Sequence, residues 1–501
     1  MKIKGYAIIL FLAIVFTYSN TLFNQFTNED EYLITNNSFV QDIENAKELF
    51  NPKHFLNPIP ILNGARPLTV FSLMLDHHIY SGKPLGFHLT NILIHSLNVL
   101  LVFALFLLFK TPPGHSFFMA LLYGIHPLVG EVVNVPGFRA DLLMGFFALS
   151  SLLVFLKYAS VRNIRAIIVG LILFLFAVFS KETSIMLSLI LFSYMLIYQR
   201  KNSKLKVLTG LLVIISGFFV FSYWLGRYAY KAHGLFYVSI LDGISPMDSI
   251  FNYLGAVFVP IFMYFRNIFF PFMVNFEYQL NIGTLSIAYI FGIILTILFF
   301  CSLIFAKDKK IKFFLLFTLF FYLPASNIIP LHNTLSDRYF YLPLIGMIYV
   351  IYRFTWGVLD KFSAGERKIL GIKLKLFPLY IVLTFLMIIS FNRNFTFYDT
   401  SSLYKRAFLR APENPRSAFN YAMAAHKEGS YLESTIVLEH FTRTWPRIDA
   451  AGVWHILGRN YFYLGDFEKG IMYFKRAIRI EPRDEMIEEF GQLLSEIDYQ
   501  G

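Results

Sequence analysis

The chain has 501 residues, of which 56% are hydrophobic and 18% aromatic but only 15% charged, against roughly 45–50% apolar and about 25% charged in soluble domains. A soluble enzyme is therefore excluded. The formal charge of +12 is not a nucleic-acid footprint, because from Arg393 onward 14 basic residues meet 15 acidic ones and the whole excess lies in residues 1 to 392. There it occupies short loops between apolar runs, where Lys and Arg set orientation in a membrane. The only cysteine, Cys301, lies within such a run, which excludes disulfides and Cys-based metal sites.

Apolar runs near the length that crosses a hydrocarbon core as helix recur from the first residues on, predicting an all-α polytopic membrane fold of about 11 spans. The first, 3–18, follows Lys2 and Lys4 and lacks a small-residue cleavage site, so it reads as a retained anchor. Further spans are predicted at 87–109, 117–133, 141–157, 166–180, 183–199, 206–226, 285–306, 313–330, 341–356 and 376–391. With the N-terminus in the cytoplasm, the inner segments hold 20 basic residues against three acids, and the outer ones up to Asn392 hold 10 basic and 14 acidic. That asymmetry follows the positive-inside rule. It requires residues 250–273, which contain Pro260, Arg266 and Pro271, to lie on the outer side without crossing.

Residues 1–392 thus form a membrane domain whose long first outer loop is 19–86, and residues 393–501 form an outer module. In that module Trp454, Leu457, Gly458, Tyr461, Gly465, Phe474, Ala477 and Pro482 keep the spacing of a 34-residue tetratricopeptide repeat. The repeat covers 451–484. A looser copy at 415–448 places Ala422, Ala425, Gly429 and Pro446 in register with it, with a leading helix at 399–411 and a capping helix at 483–498.

Polar groups at membrane depth are costly and call for a reason. Those of this chain gather at the outer ends of the spans. His88, Asn91, His95 and Asn98 are spaced 3, 4 and 3 and share one helix face. Interhelical hydrogen bonding explains Asn98, whereas His88 is open to a functional reading. Glu29 and Asp30 directly follow the first span and can serve as bases for a hydroxyl nucleophile. Arg139, Lys181 and Arg338 arrive from three different junctions on the same side, a convergence suited to phosphate. The bland alternative is salt bridging, of Arg139 with Glu131 or Asp141, of Lys181 with Glu182 and of Arg338 with Asp337.

At this point a resemblance emerges. Phe26-Thr-Asn-Glu-Asp30 with Tyr32 and Asn36, Arg66-Pro-Leu, Gly86-Phe-His-Leu-Thr-Asn91 with His95, His126-Pro-Leu-Val-Gly-Glu131 with Arg139 and Asp141, Ser180-Lys-Glu182 and Asp337-Arg-Tyr-Phe-Tyr-Leu-Pro343 run in order along the chain. Together they resemble the transmembrane-and-tetratricopeptide-repeat O-mannosyltransferases and their bacterial relatives, of the GT-C glycosyltransferase superfamily. The resemblance implies an inverting sugar transfer from a polyprenyl-phosphate sugar to an acceptor hydroxyl, with Asp30 as base. Arg139, Lys181 and Arg338 would hold the donor phosphate, supported by Arg66, His88, Asn91, His95, His126, Glu131, Asp141, Glu182 and Asp337. The family's first loop usually carries paired aspartates, and here the first acid is Glu29.

The expected partners are the polyprenyl-phosphate sugar, membrane lipid and a protein or glycan acceptor that the repeat module helps to contact. No nucleic acid, cofactor or metal is expected. The competing readings are an O-antigen polymerase or ligase type of enzyme, which depends on a large late outer loop where this chain has the short 325–340, and a transporter, which would place polar groups at mid-membrane. Two repeats favour a bacterial inner membrane with the C-terminus periplasmic over an endoplasmic reticulum membrane.

Overall fold

The computed structural model describes residues 2–27, 30–51, 66–158, 163–198, 209–212, 214–215, 246–278, 280, 285–329, 331, 333–362, 368–369, 372–373, 377–446, 448 and 450–498. The chain folds into two units, Met1–Val274 with Leu280–Tyr398, and Asn275–Gln279 with Asp399–Gly501. Both are helical; a two-residue ladder pairing Lys368 with Lys373 and Ile369 with Ile372 is the one strand pair among the described residues.

The chain is a multi-pass α-helical membrane protein. Among the described residues, Pro84–Leu108, Pro136–Lys157, Ile287–Phe305 and Pro378–Phe397 are long and apolar enough to cross a bilayer. Pro113–Gly124 and Pro127–Asn134 reach that length only together and are bent by 53° at their junction, as in a broken span or a re-entrant loop, and Ile3–Thr17, Ile164–Ser180 and Glu182–Tyr198 are shorter apolar helices. The spans expected at 313–330 and 341–356 coincide in part with Lys309–Tyr322 and Pro343–Phe362, while most of 206–226 lies outside the described residues.

Proline opens several of these helices, at Pro67, Pro84 and Pro113, where its fixed φ suits a first turn and its missing N–H costs nothing. Pro84–Leu108 is central, packing against Ile3–Thr17, Pro113–Gly124 and Arg139–Tyr158. At Gly346 a methyl group would overlap the Phe314 carbonyl, so glycine is what lets Lys309–Tyr322 and Pro343–Phe362 approach closely.

Pro246–Phe269 runs on through Pro260 as one helix. Tyr253 donates to the Ile328 carbonyl and Tyr264 to the Ser336 carbonyl, both at 2.7 Å. Eleven residues apart along this helix, the two bonds reach the same connection between Lys309–Tyr322 and Pro343–Phe362. The helix therefore lies alongside that connection.

A seam of side-chain amides closes one end of the membrane unit. Asn134 donates to Asn394 (2.8 Å) and accepts from Thr21 (2.9 Å) and Asn24 (3.3 Å). Asn394 in turn donates to Asn20 (2.8 Å) and to the Thr17 carbonyl (2.9 Å), and Asn20 donates to the Phe391 carbonyl (2.8 Å). Groups that would each be expensive to bury alone satisfy one another. The C-terminal ends of the first and last membrane helices are thereby fixed together.

The second unit stacks Pro415–Lys427 on Tyr431–Thr444 and Ala451–Tyr463 on Phe467–Ile480, between Thr400–Arg410 and Asp484–Asp498. Each hairpin turns at a glycine of positive φ, Gly429 at 79° and Gly465 at 82°, the left-handed backbone that other residues adopt at a cost. The 36-residue register places these two glycines as equivalents. The core holds Ala422, Ala425, Leu438, Phe441, Leu457, Phe474 and Ala477. Residues 275–278 also belong to this unit: Phe276 packs against Tyr404 and the core, and Glu277 pairs with Arg416 (3.1 Å) and accepts from Asn420 (3.0 Å).

Candidate active site

The site is organised by the turn Pro136–Phe138 that leads into the helix Arg139–Tyr158. Three consecutive residues of it serve three purposes. The Gly137 N–H donates to Asp30 Oδ1 at 2.6 Å, while Asp30 Oδ2 accepts from the N–H (2.9 Å) and hydroxyl (3.0 Å) of Thr27. Asp30 is fully buried. The ring of Phe138 carries the guanidinium of Arg338, 3.8 Å above its centroid, within the range of a cation–π contact.

Arg139, the third, has no exposed surface and is enclosed by acceptors. It meets Asp76 at 2.6 Å and donates to Asn91 Oδ1 (2.8 Å) and to the carbonyls of Ser72 (3.1 Å) and Phe87 (3.0 Å). It thereby ties Pro67–Tyr80 and Pro84–Leu108 to its own helix. Burial pushes the Asp76 carboxyl above its usual range, with Arg139 and a hydrogen bond from Thr90 opposing the shift.

The other cations lie close to one another. Lys181 Nζ donates to Asp141 at 2.6 Å. Arg66 grips Glu182 with two bonds, of 2.9 and 2.7 Å, the planar fork matching the carboxylate. The Lys181 ammonium is held below its ordinary value, first by burial and further by the guanidinium charges of Arg66 and Arg338, with Asp141 acting against both. A small cavity lined by Asn37, Arg66, Thr69 and Gly137 together with apolar side chains brings the Arg66 cation and the turn beneath Asp30 to one space.

The segment Ser336–Arg338 is held by Glu131, whose carboxylate accepts from the Ser336 hydroxyl (2.7 Å) and the Arg338 N–H (3.3 Å). Asp337, fully buried, pairs with Arg393 at 2.7 Å, and Arg393 also donates to the Pro127 carbonyl. Of the imidazoles, His95 bridges the Tyr341 hydroxyl and the Gly124 carbonyl, both at 2.9 Å. His126 joins the Leu128 N–H to the Ile268 carbonyl. Asn98 donates to the Leu142 carbonyl and to Tyr341, which is the interhelical bonding expected of it. His88 is fully buried, against the backbone of Asn24 and Gln25.

The structure thus brings together Asp30, Arg66, Arg139, Lys181, Glu182, Asp141, Glu131, Asp337 and Arg338 at one end of the bundle. Glu29 and His332 lie outside the described residues. The pairs observed are others than those the bland alternative drew: Arg139 with Asp76, Lys181 with Asp141, and Asp337 with Arg393. For residues one or two apart, such as Lys181 and Glu182 or Arg139 and Asp141, the reason is geometric, since side chains at that spacing do not face each other on a helix. Sequence reasoning passed over Asp76 and Arg393. Both carried a signal: Asp76 is the one acid in the apolar stretch Pro67–Tyr80, and Arg393 is the one basic residue in the last turn of Phe377–Asn394.

Residues 66–224 match the family described as dolichyl-phosphate-mannose-protein mannosyltransferase, and residues 451–484 match the tetratricopeptide repeat. The chain is similar to the protein O-mannosyl-transferase F38B6.6 of Caenorhabditis elegans, at 28% identity over 31% of this chain and 23% of that protein. It is also similar to the human protein O-mannosyl-transferases TMTC4, at 37% over 18% of this chain and 14% of that protein, and TMTC2, at 32% over 30% and 18%. The aligned segments span less than a quarter of these relatives' length.

Proposed function

We propose that this chain is a membrane glycosyltransferase that moves a sugar from a polyprenyl-phosphate donor to a protein or glycan hydroxyl, with inversion, on the outer face of a bacterial inner membrane. The observation that carries the reading is the turn 137–139, which joins a buried carboxylate, an aromatic-seated guanidinium and a structural arginine within three residues. In this scheme Asp30 takes the proton of the acceptor hydroxyl, whose oxygen forms the new bond to the anomeric carbon. The bond from that carbon to the phosphate oxygen breaks, and the electron pair leaves with the polyprenyl phosphate. The Thr27 hydroxyl on Asp30 Oδ2 already makes the contact that an acceptor hydroxyl would make.

Because the leaving phosphate gains a negative charge, fixed cations favour the transition state over the ground state. Lys181 and Arg338 are assigned that role, with Arg66 beside them. Arg139, closed in by Asp76 and three other acceptors, serves the donor by holding the floor on which Phe138 and Arg338 rest. Glu131, Asp141, Glu182 and Asp337 orient these cations, while Asn91, His95 and His126 brace the surrounding helices. A transfer assay with purified protein, polyprenyl-phosphate mannose and a Ser/Thr-containing peptide tests the reading; sugar transfer absent with every lipid-linked donor tried would overturn it.

Replacing Arg338 by Gln is expected to weaken donor binding about ten- to a hundredfold, the loss of a charge-assisted contact of roughly 1.5–3 kcal/mol, while the protein stays folded. Unchanged donor affinity in detergent would remove Arg338 from the site. For sidedness, the amide seam places the exit of the last helix beside the start of the first loop. A cysteine at Ser430 in a Cys301→Ser background is expected to react with an impermeant thiol reagent in spheroplasts, and labelling only after lysis would reverse the orientation.

A further inference from the structure

We infer that Arg393 is a positioning residue for the donor phosphate: through Asp337 it sets the turn that places the Arg338 guanidinium over Phe138. The inference rests on the proposed role of Arg338. Arg338 itself is only half-buried, so its aim depends on how its backbone is held. Two groups from elsewhere in the chain hold it. Glu131, on the short helix Gly130–Asn134, takes the Ser336 hydroxyl and the Arg338 N–H, fixing the two ends of a three-residue stretch. Arg393, at the end of Phe377–Asn394, takes the residue between them, with 2.7 Å from its Nη2 to Asp337 Oδ2.

Arg393 is itself immobilised. It is 7% exposed, its second nitrogen donates to the Pro127 carbonyl, and its guanidinium sits 5.6 Å from the Phe397 ring centroid. A buried ion pair of this kind is weak evidence for stability, since desolvation offsets most of its attraction, but it fixes orientation well. The same short segment that Glu131 and Arg393 fix carries the side chain that lies 3.8 Å over Phe138. Phe138 in turn follows Gly137, the donor to Asp30. Arg393 therefore acts on the phosphate through Asp337 and Arg338 without needing to touch it.

The test measures binding of a polyprenyl phosphate without sugar, and donor KM separately from kcat, in purified Arg338→Gln, Arg393→Gln and the double variant. Arg393→Gln is expected to weaken polyprenyl phosphate binding about tenfold and to raise donor KM with acceptor KM unchanged. In the double variant the loss should equal that of Arg338→Gln alone, because two groups acting through one contact are not additive. Arg393→Lys, which keeps the charge but not the fork, should recover part of the affinity. If Arg393→Gln does not fold, Asp337→Asn carries the same expectation.

Multiplied losses in the double variant, or binding within twofold of the parent in Arg393→Gln while Arg338→Gln is impaired, would overturn the inference and leave the site reading standing. An unaffected Arg338→Gln would instead remove the reading on which the inference rests.

Discussion

Asp30→Asn is expected to slow sugar transfer by about 10²- to 10⁴-fold, the usual contribution of a positioned general base, with little change in donor binding. The substitution keeps the size of the side chain and removes its capacity to take a proton. The local structure bears on what else changes. Oδ1 and Oδ2 of Asp30 accept from Gly137 and Thr27, and one oxygen of Asn can still accept while its NH₂ would face a donor. A modest loss of stability, on the order of 1–3 kcal/mol for one mismatched buried group, should accompany the rate effect and is read separately by thermal unfolding in detergent. The rate is the deciding measurement. Activity within about threefold of the parent would remove Asp30 as base, because even the lower end of the expected range exceeds it. Glu29→Gln is the internal control; a larger loss there than in Asp30→Asn would move the base by one residue.

The second large effect concerns stability. Arg139→Met should destabilise the membrane unit by about 3–5 kcal/mol, the usual cost of removing one partner from a buried ion pair, and lower the yield of folded protein. Asp76 would be left buried without its cation, and the carbonyls of Ser72 and Phe87 would lose their second donor. Adding Asp76→Leu should recover part of the loss by removing the orphaned charge, but not all, since those carbonyls and Asn91 remain. Were Arg139 instead a phosphate ligand facing the donor, Arg139→Met would keep its melting temperature and lose only donor affinity. Melting curves of the parent and the two variants separate these outcomes.

Much of this architecture was legible in the sequence because bilayer physics is coarse: length and apolarity are enough to place helices such as Pro84–Leu108 and Ile287–Phe305. The tetratricopeptide register was legible because Gly429 and Gly465 must sit at left-handed turns 36 residues apart. The clustering of Asp30, Lys181, Glu182 and Arg338 followed from their shared position at helix ends. Pairing did not. Which acid meets Arg139 is decided by where Pro67–Tyr80 packs, and no local periodicity in 130–141 encodes Asp76. Arg393 was hidden for a related reason, since it reads as the start of the soluble module whereas its side chain turns back into the membrane unit. The face His88-Asn91-His95-Asn98 was readable as a polar stripe, but not its partners: Arg139 and the Val133 carbonyl for Asn91, the Gly124 carbonyl and Tyr341 for His95, and the Leu142 carbonyl and Tyr341 for Asn98.

The amide seam also has a temporal side. Asn20 meets Phe391 across 371 positions of chain, and Asn394 meets Thr17 across 377. At a ribosomal pace of roughly 5–20 residues per second, about 20–75 seconds separate synthesis of the two halves of these bonds. Throughout that interval Asn20 waits for the Phe391 carbonyl and Asn394, whereas Thr21 and Asn24 meet Asn134 after only 113 and 110 positions. The seam is consequently built in two stages, the second of which waits for the last helix. A nascent chain that stops before that helix leaves Asn20 without the Phe391 carbonyl and Asn134 without Asn394.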